Sequence, residues 1–234
     1  MSQTPAWVVF GQRAAYLPAA DALVLADLHV GRGSASDERR DILARLRGHL
    51  DRFEPARVVV AGDLLHATGS LPAGVAETVG AVVGAIEDSA AGLRVVRGNR
   101  DGMLAAVGVS ATDSVRLDDG TVVCHGHEEP AADGDRYVVG HQHPAVTISG
   151  GQRRPCFLYG PGQYDSADVL VVPAFTRLAA GTPVGTLGDG TAVSPLLAPP
   201  AGYRPIVVSN GETLGFPALG DLDGLLVGAR GYET

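Results

Sequence analysis

An α/β fold with strands paired in parallel is what this sequence predicts, and three observations predict it. Apolar runs with strand character alternate with segments of helical spacing as far as Gly98. Five short motifs each end such a run: Ala26-Asp27-Leu28-His29, Gly62-Asp63-Leu64-Leu65-His66, Gly98-Asn99-Arg100-Asp101, His125-Gly126-His127 and Gly140-His141-Gln142-His143. Polar tips therefore sit where buried strands stop. Beyond Gly98 the apolar runs shorten and crowd together, as in a second, β-rich sheet.

The elements follow in order. Leu23–Ala26 reads as the first buried strand. Asp37–Phe53 reads as an amphipathic helix, with Ile42, Leu46, Leu50 and Phe53 on one face and Arg39, Arg40, Arg45 and Arg47 largely off it. Val58–Ala61 is the next strand, Val75–Ile86 has helical apolar spacing, and Leu93–Val96 is again a strand. Val115–Leu117, Val122–Cys124 and Tyr137–Val139 are short strands separated by turns. Leu170–Phe175 is a strand candidate, and Ile206–Val208 followed by Asn210-Gly211 reads as a hairpin. The Gly and Pro residues from Ala180 to Pro205 predict a mobile loop. Neither a repeat nor a linker interrupts the chain, so one domain over 1–234 is expected, with the motifs in 23–145 and a β-rich, loop-containing part in 150–234.

Composition excludes several classes. A chain of 234 residues, 45% apolar and 19% charged, is an ordinary globular protein with room for one large core. No stretch approaches the roughly 20 apolar residues of a membrane helix. Met1–Tyr16 lacks a basic segment followed by an apolar block, so no export signal is expected and the expected compartment is the cytoplasm. Cys124 and Cys156 form neither a disulfide framework nor a zinc spacing. The net charge is -8 and all 18 basic residues are arginine. That pattern points to a salt-adapted host such as a halophilic archaeon, with a GC-rich genome as the alternative. An acidic chain is a poor candidate for strong independent binding to the nucleic-acid backbone.

The motif tips carry ligand chemistry. Asp27 and His29 flank one residue at a strand end and can hold one ion; Asp63 has a carboxylate able to bridge two. Asn99 offers a carbonyl oxygen, and His125, His141 and His143 offer imidazoles. Taken singly, each has an ordinary explanation, such as a helix cap for Asp63 or a turn hydrogen bond for Asn99. The histidines decide between the readings: of seven, His29, His66, His125, His127, His141 and His143 lie in the motifs. His49, in the charged helix, is expected to be a solvated surface residue.

The ordered motif set from Asp27 to His143 resembles the calcineurin-like metallophosphoesterase superfamily, and within it the SbcD-related archaeal and bacterial ligase-associated phosphoesterases. Pro155-Cys156-Phe157 and Leu170–Phe175 also look like that subgroup. The resemblance implies a sandwich of two mixed β-sheets flanked by helices, with a dimetal site at the strand ends. It implies Asp27, His29, Asp63 and His143 around one ion and Asp63, Asn99, His125 and His141 around the other, with His127 outside the set. Two divalent ions about 4 Å apart would hold a bridging hydroxide for in-line attack on phosphorus. Mixed oxygen and nitrogen ligands suit manganese, iron or zinc, and the resemblance points to manganese.

Arg100 departs from the pattern, which usually has histidine there to contact phosphate and protonate the leaving group. Arginine does the first and not the second. His66 is the candidate proton donor in its place, by analogy with SbcD-type nucleases. Arg97 and Arg100 are candidate substrate-binding residues, and Arg153 and Arg154 could add positive charge near the cleft. His125 and His141 lie sixteen positions apart (141 − 125), which leaves little room for a large capping insertion and predicts an open site. Three functions fit these residues: a metal-dependent phosphodiesterase or nuclease, a phosphomonoesterase, and a non-catalytic metal- or partner-binding member. The expected substrate is a phosphoester, in the first case a nucleotide or nucleic acid; a DNA-repair partner follows from family analogy alone.

Overall fold

The computed structural model describes residues 4–147, 151–188 and 194–226, with backbone only over 223–226. Two mixed β-sheets stack face to face. The first sheet contains β1 (Val9–Gly11), β2 (Ala14–Leu17), β3 (Ala22–Leu25), β4 (Arg57–Ala61) and β5 (Gly92–Val96), in that order. β1, β2 and β3 are antiparallel neighbours, whereas β3, β4 and β5 run parallel through the helical connections α1 (Ala35–Phe53) and α2 (Val75–Asp88).

The second sheet is built from β6 (Ser114–Arg116), β7 (Thr121–Cys124), β8 (Arg136–Val139), β11 (Phe157–Tyr164), β12 (Ala167–Val171), β14 (Arg204–Ser209) and β15 (Glu212–Gly215), in the order β15-β14-β11-β12-β8-β7-β6. Its β7-β8-β12 centre is parallel. A small sheet joins β9 (Pro144–Thr147), β10 (Arg153–Pro155) and β13 (Thr182–Pro183), and α3 (Leu219–Leu226) ends the described chain.

The period-two alternation of strand side chains explains why the central strands are continuously apolar. Leu23 and Leu25 of β3, with Val58 and Val60 of β4, face α1 and α2; Val24 and Val59 face the opposite sheet. There they meet Val123, Val138 and Leu170, while Val122, Val139 and Val171 point to a third cluster that includes Tyr203 and Leu219. The central strands are covered on both faces, so the polar residues of these segments lie where the strands end.

Most expected elements are present, shifted by a residue or two. The hairpin is there, with Asn210 and Gly211 both at positive φ between β14 and β15. The N-terminal hairpin β1–β2 was not foreseen. The strand expected over Leu170–Phe175 stops at Val171, because the segment beyond it turns across to the first sheet, where the Phe175 N–H donates to the Ala26 carbonyl at 2.7 Å. The expected loop from Ala180 to Pro205 contains β13 and three short 3-10 turns in its described parts; its residues 189–193 lie outside the described residues.

Two expectations about α1 are corrected. His49 is buried at 5% exposure, its Nε2 bonded to the Gln12 carbonyl at 2.9 Å and its ring stacked near Phe53. Arg45 is buried as well: its guanidinium lies over the Phe175 ring and donates to the Phe175 carbonyl and to Asp41. The segment after β12 folds back over this face of α1 and covers both side chains, an arrangement that local periodicity cannot reveal. Among the described residues no helix is long and apolar enough to cross a membrane.

Candidate metal centre

All seven ligand-type residues lie just past the carboxyl ends of strands: Asp27 and His29 after β3, Asp63 after β4, Asn99 after β5, His125 after β7, and His141 and His143 after β8. Strands from both sheets thus deliver side chains to one edge of the sandwich. The loops after β3 and β4 are tied together, with the Asp27 N–H donating to the Gly62 carbonyl at 3.0 Å and the His29 N–H to the Asp63 carbonyl at 2.9 Å. Asp27, His29, Asp63, His141 and His143 all adopt the left-handed backbone, with φ of 55°, 49°, 49°, 65° and 46°. Such a conformation costs a non-glycine residue about 1–3 kcal/mol and persists where surrounding structure enforces it, most often at functional sites.

The side chains converge on Asp27. Its Oδ1 is fully buried, with His143 Nε2 at 3.1 Å and His29 Nε2 and His125 Nδ1 at 4.0 Å. Its Oδ2 accepts the His141 N–H at 2.9 Å. His29 Nε2 and His143 Nε2 are 3.2 Å apart, and His29 Nδ1 is a second buried atom without a partner. Asp63 divides its two oxygens: Oδ2 lies 3.8 Å from His29 Nδ1 and Oδ1 lies 3.6 Å from His125 Nε2.

Two groups of ligand atoms emerge, Asp27-His29-His143 and Asp27-Asp63-His125, each with its atoms within 4.8 Å of one another. Asn99 Oδ1 borders the second group at 3.2 Å from His125 Nε2, and the His141 ring lies 5.0 Å from the His125 ring. Asp27 is common to both groups, whereas Asp63, the expected bridge, belongs to the second alone, its Oδ2 lying 3.8 Å from His29 Nδ1.

This chemistry fits hard or borderline divalent ions. Two buried carboxylates crowded against imidazole nitrogens, with His29 Nδ1 lacking any partner, form an arrangement that a cation relieves. His125 Nδ1 lies 2.9 Å from the Ala61 carbonyl. Donation there leaves Nε2 as the free lone pair turned toward Asp63 and Asn99. Burial pushes His29 and His141 down to about 4, so both are neutral at pH 7 and able to ligate. Burial pushes Asp63 up to about 6, against the opposing pull of His125 and the Arg100 N–H. Burial acts to lower His143, but Asp27 and Asp63 outweigh it and hold the imidazole above its ordinary range; Asp27 is correspondingly held low by His143 despite its own burial.

The remaining expected residues line the rim. The His66 ring stands edge-on to His29 at 5.2 Å, and its Nδ1 is buried without a partner. Burial, then the charges of Arg32 and Arg100, hold it below its ordinary value. Arg100 is exposed, and its backbone N–H donates to Asp63 Oδ1 at 2.8 Å. Arg97 is exposed and lies 3.9 Å from Asp113, on the side of His125. Half-buried His127 lies beside His125 and His141 and 3.5 Å from Glu128, outside both ligand groups.

Two acidic residues that sequence reasoning passed over position the centre. Asp101 is 1% exposed and accepts the Leu65 N–H at 2.9 Å and the Gly98 N–H at 2.8 Å, tying the turn after β5 to the turn after β4. Its place as the last residue of Gly98-Asn99-Arg100-Asp101 was the available signal. Glu38, 6% exposed on α1, accepts the Gly31 and Arg32 N–H groups and so anchors the loop that leaves His29. No sequence signal separates it from the other acids of that helix.

No protein-family model and no curated protein matches the chain. Among solved structures it is similar to the nuclease MPE of Pseudomonas putida, at 23% identity and a TM-score of 0.60, over 88% of this chain and 92% of that one. The fold is calcineurin-like. It is also similar to the phosphoesterase YfcE of E. coli, at 18% identity and a TM-score of 0.39, over 86% of this chain and 93% of that one.

Proposed function

We propose that the protein is a dimetal-dependent phosphoester hydrolase of the calcineurin-like superfamily, acting as a phosphodiesterase or nuclease. The observation that carries this reading is the buried Oδ1 of Asp27, with His143 Nε2 at 3.1 Å and His29 Nε2 at 4.0 Å, beside the partnerless buried Nδ1 of His29. Likeness of fold to a nuclease agrees with it, although fold alone does not fix chemistry. Asp27, His29, Asp63 and His143 would hold one ion, and Asp63, Asn99, His125 and His141 the other, with manganese the first candidate and iron or zinc next. When bound, such ions supply Lewis acidity that activates water and offsets charge on phosphoryl oxygens.

The chain's own residues do the rest. Asp63 joins the two halves of the site through its separate oxygens, and the Arg100 N–H orients one of them. The Arg100 guanidinium, carried on the same exposed turn, contacts the substrate phosphate without giving up a proton. His66 is the group able to protonate a departing oxygen. Its lowered proton affinity makes it a weak supply of acid at neutral pH, so activated aryl esters are better substrates than alkyl ones.

The test is hydrolysis of bis-p-nitrophenyl phosphate beside p-nitrophenyl phosphate by chelator-stripped protein, with and without manganese, at low and high salt. Manganese-dependent turnover of the diester, lost in Asp63→Ala, is the expected result. Two bound ions with no turnover of either ester would instead favour a non-catalytic role centred on Arg100.

A further inference from the structure

The two flanks of the metal centre carry opposite charge. On the His143 side a cavity of about 330 Å3 is lined by Arg13, Arg153 and Arg177, with no carboxylate in its wall. On the His125 side a cavity of about 250 Å3 is lined by Asp113, Glu128 and Glu129 against Arg97 alone. In a chain of net charge -8, three arginines around one hollow beside a phosphoesterase-type centre are a marked local reversal.

The arginines are held where they are. Arg13 donates to the carbonyls of Ala174 and Thr176 at 2.6 and 2.9 Å, and Arg153 to that of Gly181 at 3.0 Å. Arg177 Nε lies 3.3 Å from Asp41, an acid also engaged by Arg45. Asp41 therefore faces more positive charge than it can balance; burial and the charges of Arg45 and Arg177 push Arg13 down to about 10. Arg13 and Arg177 also line a second hollow of about 580 Å3, together with Arg154, Phe216 and the exposed Leu214. Arginines for phosphates beside apolar surface for base faces are what a single strand requires.

We propose that Arg13, Arg153 and Arg177 form a second-phosphate subsite, so that a single-stranded nucleic acid runs from the metal centre past His143 toward Arg154 and Phe216. The acidic flank at Asp113, Glu128 and Glu129 repels phosphate on the other side, which makes the bond presented to the centre one near a strand terminus. This rests on the hydrolase reading for the site itself.

The test is binding of a fluorescein-labelled dT10 oligonucleotide, followed by anisotropy in the presence of chelator at several salt concentrations. Arg13 is left intact because its bonds support the fold. Arg153→Ala/Arg177→Ala should weaken binding about tenfold or more and flatten the slope of log K against log salt by about 0.7, the loss of one phosphate contact on a single strand. Arg94→Ala, an exposed arginine on β5, should change neither quantity.

Wild-type binding by Arg153→Ala/Arg177→Ala would overturn the subsite, whatever the hydrolysis result. Loss of oligonucleotide binding alongside a wild type unable to cleave the diester would uphold the subsite and overturn the hydrolase reading.

Discussion

A methyl group on the Cα of Gly98 would fall 2.1 Å from Oδ1 of Asp63 and 2.2 Å from its backbone nitrogen. The turn after β5 is thus pressed directly against the Asp63 carboxylate, and only hydrogen fits between them. Gly98→Ala is expected to destabilise the fold by about 1–3 kcal/mol and to weaken manganese binding at least about tenfold. Thermal unfolding and metal titration read the two effects. Gly48→Ala, on exposed helix surface with nothing within 4 Å, is the contrasting control and should stabilise by roughly 0.5–1 kcal/mol.

Asp101 holds the same turn from beneath. Replacing it with Asn removes a buried anionic acceptor of two backbone N–H groups, and the new amide can accept with one atom only. Asp101→Asn should cost about 1.5–3 kcal/mol in urea unfolding. It should also lower metal affinity, since Gly98 and Asn99 lose their anchor. Unchanged metal affinity in a destabilised variant would separate Asp101 from the centre.

Metal binding should depend on pH in a direction the electrostatics fix. Asp63 is held near 6, so below that pH it is protonated and a poor ligand, and His143 is held above its ordinary range by Asp27 and Asp63. His29 and His141, near 4, are already neutral. Manganese affinity measured calorimetrically should therefore rise as pH increases through about 6, with protons released on binding. A flat profile from pH 5 to 8 would contradict the assignment of Asp63 and His143 as ligands.

Much of this was legible in the sequence because buried parallel strands are short apolar runs, and a polar residue at such a run's end has few places to go. The positions after β3, β4, β5, β7 and β8 obey that rule, and the gathering of six of seven histidines into the motifs singled them out. What could not be read was tertiary. His49 looks like a surface residue until the segment after β12 covers it, and Arg45 looks like helix surface until Phe175 lies under its guanidinium. The left-handed backbone of Asp27, His29, Asp63, His141 and His143 was equally hidden, since a non-glycine φ above zero is imposed by surroundings rather than by residue type.

Arg100→His should restore a titratable group beside His66. Hydrolysis of a diester with an alkoxide leaving group is expected to rise, with little change for bis-p-nitrophenyl phosphate, whose leaving group needs no proton. Equal effects on both substrates would show that Arg100 acts on phosphate binding alone.

The most direct test of the centre is its metal stoichiometry. Chelator-stripped protein is dialysed against manganese and the bound metal counted by plasma mass spectrometry, for wild type and for Asp63→Ala with its fold verified by circular dichroism. The arrangement around Asp27 and Asp63 calls for two ions per chain in the wild type and at most one in the variant. A wild type that binds one ion or none, or a folded Asp63→Ala that still holds two, would contradict it.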